Sequence, residues 1–119
     1  MDMPRIEEDA FGKAEIPARA LYGIQTLRSA ENLSFSGRAL RDYPLFIAAL
    51  ADVKRAAARA NERAGVIPRR YAQAIWEACF EIASGAHSEH FIVDAYHGGG
   101  GIGSNMNMNE VVGNLGNEL

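Results

Sequence analysis

The chain holds a single cysteine, Cys79, among its 119 residues. One thiol closes no internal disulfide, which excludes a disulfide-stapled secreted scaffold and makes a reducing cytoplasm the expected location. Cys79 falls on an apolar helical stripe with no histidine close by in sequence, the pattern of a buried thiol rather than a nucleophile. Charge of one sign is also lacking. Twelve basic residues face 15 acidic ones, for a net charge of −3, and the basic residues are scattered. That removes the footprint of a nucleic-acid binder. No apolar run approaches the length of a membrane span, so no membrane partner is expected. The opening Met1–Asp9 stretch is acidic and lacks the apolar centre of a signal peptide. What remains is 48% hydrophobic, ordinary for a globular protein and too high for a disordered one. The length allows one domain with a modest core.

Glycine, by contrast, is concentrated. Gly98, Gly99, Gly100, Gly101 and Gly103 fall within six positions, followed by Ser104 and Asn105 as good N-cap residues. Val111, Val112, Leu115 and Leu119 then recur at helical spacing. A bare glycine loop opening onto a helix points amide N–H groups, backed by the helix dipole, at whatever sits there. Such a loop is either an anion site or a flexible connector between helices, and composition alone leaves both open.

The rest reads as helices. Residues 1–16 are polar and predict an extended arm with room for a short strand. Ala20, Leu21, Ile24, Leu27 and Ala30 predict a helix over 18–33, broken by Ser34-Phe35-Ser36-Gly37. Asp42 as cap and Pro44 as first residue open a second helix over 44–64. Its apolar face is expected to be Phe46, Ala49, Leu50, Val53, Ala57 and Ala60, with Gly65 as its stop. A third helix over 69–84 should bury Ala72, Ile75, Trp76, Cys79, Phe80 and Ala83. Residues 86–97 read as irregular or weakly strand-like around Phe91-Ile92-Val93. The fourth helix is expected to start at Ser104 or Asn105. Its apolar period still runs at Leu119, which suggests part of something longer. Gly113 and Gly116 each cost about 1 kcal/mol inside it, and suit close packing against other helices.

Several chemical motifs fail on inspection. Gly98-x-Gly100-x-x-Gly103 fits a dinucleotide fingerprint only because a glycine run fits it automatically; no second strand or downstream acidic residue follows. No Gly-Lys-Ser/Thr follows either. His87, His90 and His97 with Asp94 match no familiar metal spacing and read as solvated loop residues, so no metal ligand is assigned. His97 alone is kept as a supporting group behind the glycine loop. Asn105, Asn107 and Asn109 are poor interior helix formers, so they should cap the loop, bind carbonyls across a bundle, or reach a ligand.

Taken together, Phe11-Gly12-Lys13 with Ile16-Pro17, Leu21-Tyr22-Gly23-Ile24-Gln25-Thr26-Leu27-Arg28 with Glu31-Asn32, Val53-Lys54-Arg55-Ala56-Ala57-Ala58 and Asn105-Met106-Asn107-Met108-Asn109-Glu110-Val111 carry a resemblance. The chain resembles the N-terminal segment of the aspartase/fumarase superfamily over essentially its whole length. Leu27 between Thr26 and Arg28, and the Val93-Asp94-x-Tyr96-x-Gly98-Gly99 lead-in, resemble the aspartate ammonia-lyase branch more than the fumarases. The resemblance implies a mainly α fold. Residues 1–103 would form the N-terminal helical domain with its extended arm, and 104–119 the truncated start of a central helical bundle. It implies ammonia elimination from L-aspartate to give fumarate, with no cofactor, in a cytoplasmic homotetramer. A base removes the proton beside one carboxylate, which becomes a dianionic aci-carboxylate. Pre-organised donors suit that charge. Carried over by position, Gly101, Ile102, Gly103, Ser104 and Asn105 would bind the dicarboxylate substrate.

The sequence departs from that pattern at Ile102 and Gly103, where aspartases usually carry Thr and Ser. A lost hydrogen bond to a charged group costs about 1.5–3 kcal/mol. Either Ser104 and backbone amides replace it, the substrate differs, or activity is weakened. The resemblance also implies that the catalytic base and a substrate-binding lysine lie beyond position 119, so the isolated chain is expected to be inactive. The alternatives are a fumarase or related lyase, and a truncated paralogue acting by association.

Overall fold

A computed structural model describes residues 2–119. Its order is β1 (Arg5–Asp9), β2 (Gly12–Ile16), α1 (Ile24–Leu33), α2 (Pro44–Arg63), α3 (Arg69–Ala83) and α4 (Ile102–Glu118), with short 3-10 turns at Leu40–Asp42, Ser88–His90 and Gly99–Gly101. The mainly α reading holds. The arm is more regular than expected: β1 and β2 form an antiparallel hairpin in register from Arg5 opposite Ile16 to Asp9 opposite Gly12. Gly12, at φ +111°, makes the reversal possible. The Phe11 amide donates to Asp9 Oδ1 at 2.9 Å across the same turn.

Helix α1 starts at Ile24, six residues later than the apolar spacing predicts. The reason is Arg5. Its guanidinium donates to the carbonyls of Pro17, Ala20 and Tyr22 and so holds this segment in a non-helical path against the hairpin. Gly23 offers α1 no side-chain cap. Instead Glu7 of β1 accepts the Ile24 amide at 2.9 Å, and Glu110 of α4 accepts the Gln25 amide at 3.0 Å and the Thr26 amide at 2.8 Å. Two carboxylates from distant segments thus occupy the positive end of the helix.

Helix α2 matches its predicted span within one residue, with Pro44 in its first turn and Gly65 at φ +74° just beyond its end. Its buried face differs from the expected one. Ile47, Ala51 and Ala58 are buried, while Phe46 and Val53 are 50% and 63% exposed. Both sets satisfy helical spacing and lie about 100° apart, so the packing of the partner helices selects between them. In α3, Ala72 and Cys79 are buried as expected, together with Ala78 and Ile82. Phe80 is not: it lies half exposed, stacked on Trp76 with ring centroids 5.6 Å apart, and the Arg55 guanidinium of α2 covers both rings.

Helix α4 packs against α3 and α1. Met108, Val111, Val112 and Leu115 complete a core shared with Ile47, Ala51, Ala78, Cys79 and Ile82. The segment 86–97 holds no strand. Phe91 and Val93 are fully buried, and their carbonyls accept the Arg41 and Leu40 amides at 3.0 and 2.9 Å. No described helix is long and apolar enough to cross a membrane.

Candidate functional site

The glycine loop earns its composition. Gly99, Gly100 and Gly101 take φ of +73°, +69° and +86° in succession, a path closed to most side chains. This run delivers the chain into α4 earlier than predicted. The helix begins at Ile102 with Gly101 as its cap, so neither Ser104 nor Asn105 is the N-cap. Ser104 lies inside the first turn, buried, with its hydroxyl 2.9 Å from His97 Nε2.

The five residues expected to bind substrate share one turn but face different neighbours. Gly101 is exposed. Ile102, 64% exposed, and Gly103 line a cleft against α1. Asn105 turns the other way, and its Oδ1 accepts a hydrogen bond from Lys54 Nζ of α2. Ser104 contributes to a smaller hollow with Tyr43, Phe46 and Tyr96.

The cleft between α1 and the loop has a volume of about 420 Å³. Its polar wall is Gln25, Arg28, Ser29 and Asn32, facing Ile102, Gly103 and His97. Sequence reasoning gave that wall no part in the site, although polar residues at 25, 28, 29 and 32 mark one helical face. Arg28 is pre-positioned by a 3.2 Å ion pair to Asp9 and a bond to the Gly12 carbonyl. The Arg28 guanidinium in turn holds the Asp9 carboxyl below the usual carboxylate range.

The histidines are not simply solvated: all three are bonded into the fold, His87 through Nε2 to Glu81 Oε1 at 3.2 Å. His90 Nδ1 accepts the Leu21 amide at 3.1 Å and its side chain is only 15% exposed. Burial lowers its pKa, which favours that neutral acceptor form. His87, Glu89 and His90 bring potential ligand atoms within 4.8 Å of one another. The Leu21 amide fixes the His90 proton on Nε2, however, so neither ring nitrogen of His90 has a lone pair to give a metal. His97 is likewise engaged, through Ser104 and Gly98. Of the asparagines, Asn107 binds backbone: fully buried, it donates to the His90 carbonyl at 2.9 Å and accepts the Val93 amide at 3.4 Å.

A loop and helix start of this kind, set against a polar helix wall, is a fold shared with known enzymes. The sequence model of a family described as Lyase matches residues 12–119, and the chain belongs to that family. Within it, the chain is similar to aspartate ammonia-lyases. It is 49% identical to that of Pseudomonas aeruginosa over 111 residues, 93% of this chain and 23% of the relative. It is 47% identical to that of Escherichia coli K12 over 116 residues, 97% of this chain and 24% of the relative. A fumarate lyase:delta crystallin structure from Brucella melitensis matches 98% of this chain and 27% of its own, with TM-score 0.95 and 46% identity. A class II fumarase from Schistosoma mansoni matches 97% and 24%, with TM-score 0.90 and 33% identity. The chain spans about a quarter of the length of these relatives.

Proposed function

We propose that this chain is the N-terminal segment of an aspartate ammonia-lyase, which eliminates ammonia from L-aspartate to give fumarate without a cofactor. The observation that carries the reading is its 47–49% identity to aspartate ammonia-lyases over more than nine-tenths of its residues. The segment supplies charge-stabilising donors and not the base. The amides of Gly101, Ile102 and Gly103, at the positive end of α4, would face one carboxylate of the substrate as it becomes an aci-carboxylate, while Ser104 and Asn105 are held by His97 and Lys54. The base, the remaining site regions, the tetramer and a cytoplasmic location belong to the complete enzyme. Residues 104–119 would begin its central bundle, and the 119-residue chain alone would be inactive.

A chimera tests this. Residues 12–119 replace the matching segment of the Pseudomonas aeruginosa aspartate ammonia-lyase, and fumarate formation is followed by its ultraviolet absorbance. Measurable turnover of L-aspartate supports the reading. Ile102→Thr in that chimera should raise kcat/KM by about 10- to 100-fold, the effect of one restored hydrogen bond to a charged group. A folded chimera that is inert on aspartate but dehydrates malate would transfer the reading to the fumarases.

A further inference from the structure

The ring of His97 lies between the glycine loop and the first turn of α4, and its partners fix its proton. The Ser104 backbone N–H, which can only donate, is 3.0 Å from Nε2, so Nε2 carries the lone pair. The Gly98 carbonyl, which can only accept, is 2.9 Å from Nδ1, so Nδ1 carries the hydrogen. The Ser104 hydroxyl, 2.9 Å from Nε2, donates to the same lone pair. A single neutral tautomer satisfies all three groups. The imidazolium does not, because its second proton would meet the Ser104 N–H head-on.

Position 103 explains how the ring fits. A Cβ on Gly103 would lie 3.1 Å from His97 Cε1, 3.2 Å from Nδ1 and 3.1 Å from Ser29 Oγ. The imidazole therefore borders the space that a side chain at 103 would take, where the resemblance leads one to expect a hydroxyl. Other charged groups around the ring are already engaged. Arg28 of α1 shares the cleft but is paired to Asp9. Asp94, whose carbonyl accepts the His97 amide, has its carboxylate on Ser36 and Tyr96. Lys54 of α2 is bonded to Asn105, and the first turn of α4 holds no acidic or basic residue.

We infer that His97 is a positioning residue of the glycine loop: neutral and protonated on Nδ1, it ties Gly98 to Ser104 and so holds the loop to the first turn of α4. That the loop is a dicarboxylate site rests on the reading proposed above; the tie itself does not.

The test is nitrogen-15 NMR of the 119-residue chain at pH 8, with amide exchange at Ser104. The expected ring is the Nδ1–H tautomer. The protection factor of the Ser104 amide should fall at least about tenfold when the ring is removed in His97→Ala. In His97→Gln, whose side-chain amide can serve both partners, Ser104 stays protected. A ring protonated on Nε2, or Ser104 protection unchanged in His97→Ala, overturns the inference. Aspartate turnover by the chimera reads the functional proposal separately.

Discussion

Asp94 holds Ser36 by both its amide and its hydroxyl, at 2.8 and 2.9 Å, across 58 residues of sequence. The same carboxylate accepts the Phe35 amide at 3.1 Å and the Tyr96 amide at 2.8 Å. The break after α1 and the approach to the glycine loop are therefore pinned by one nearly buried anion.

That anion should govern acid stability. Burial pushes the Asp94 carboxyl up, but the amides of Ser36 and Tyr96, the Ser36 hydroxyl and the Phe35 amide together hold it below the usual range. A depressed folded pKa means stability fully present above the unfolded value of about 3.9 and lost as pH falls through the folded one. Asp94→Asn should lower Tm at pH 7 and flatten its fall below about pH 4. Thermal melts by circular dichroism from pH 2 to 7 decide this; an unchanged acid limb would remove Asp94 as its source.

Glu110 is the corresponding anchor for α1. It accepts the Thr26 amide and hydroxyl, and Thr26 is fully buried. Glu110→Ala strands those donors and should cost about 2–3 kcal/mol. Urea unfolding reads it as a lower midpoint at constant slope. A Cβ on Gly23 would collide with the Glu110 carboxylate and lie 3.0 Å from Glu7 Oε1, so Gly23→Ala should act on the same contact. Its cost and that of Glu110→Ala should not add. Additive losses would mean that the two act separately.

Cys79 is fully buried, and burial pushes its thiol up to about 11, above its ordinary value. The thiolate is the reactive form, so alkylation by iodoacetamide at pH 8 should require unfolding and be at least about tenfold faster in denaturant. Equal rates in native and denatured chain would contradict the burial.

What the sequence revealed followed local rules. Pro44 and Gly65 bracket α2 because one fits a first helical turn and the other takes positive φ. The choice between the Phe46/Val53 stripe and the Ile47/Ala51 stripe was not legible, since both have helical spacing and only the partner helices decide. The start of α1 was hidden for a similar reason: Arg5 and Glu110 act on it from either side, and no window around residue 20 contains them. At the candidate site, the glycines announced the turn and the asparagines announced polar work inside α4. The cleft wall from α1 and the proton arrangement on His97 depend on contacts between segments that are remote in sequence.

The dependence of α1 on Glu110 sets an order of events during synthesis. At a ribosomal rate of about 5–20 residues per second, the 84 residues separating Thr26 from Glu110 take roughly 4–17 s to be made. Over that interval α2 and α3, joined by a short turn, can pair as a local hairpin. The first helix to leave the ribosome then waits for an anchor carried by the last one.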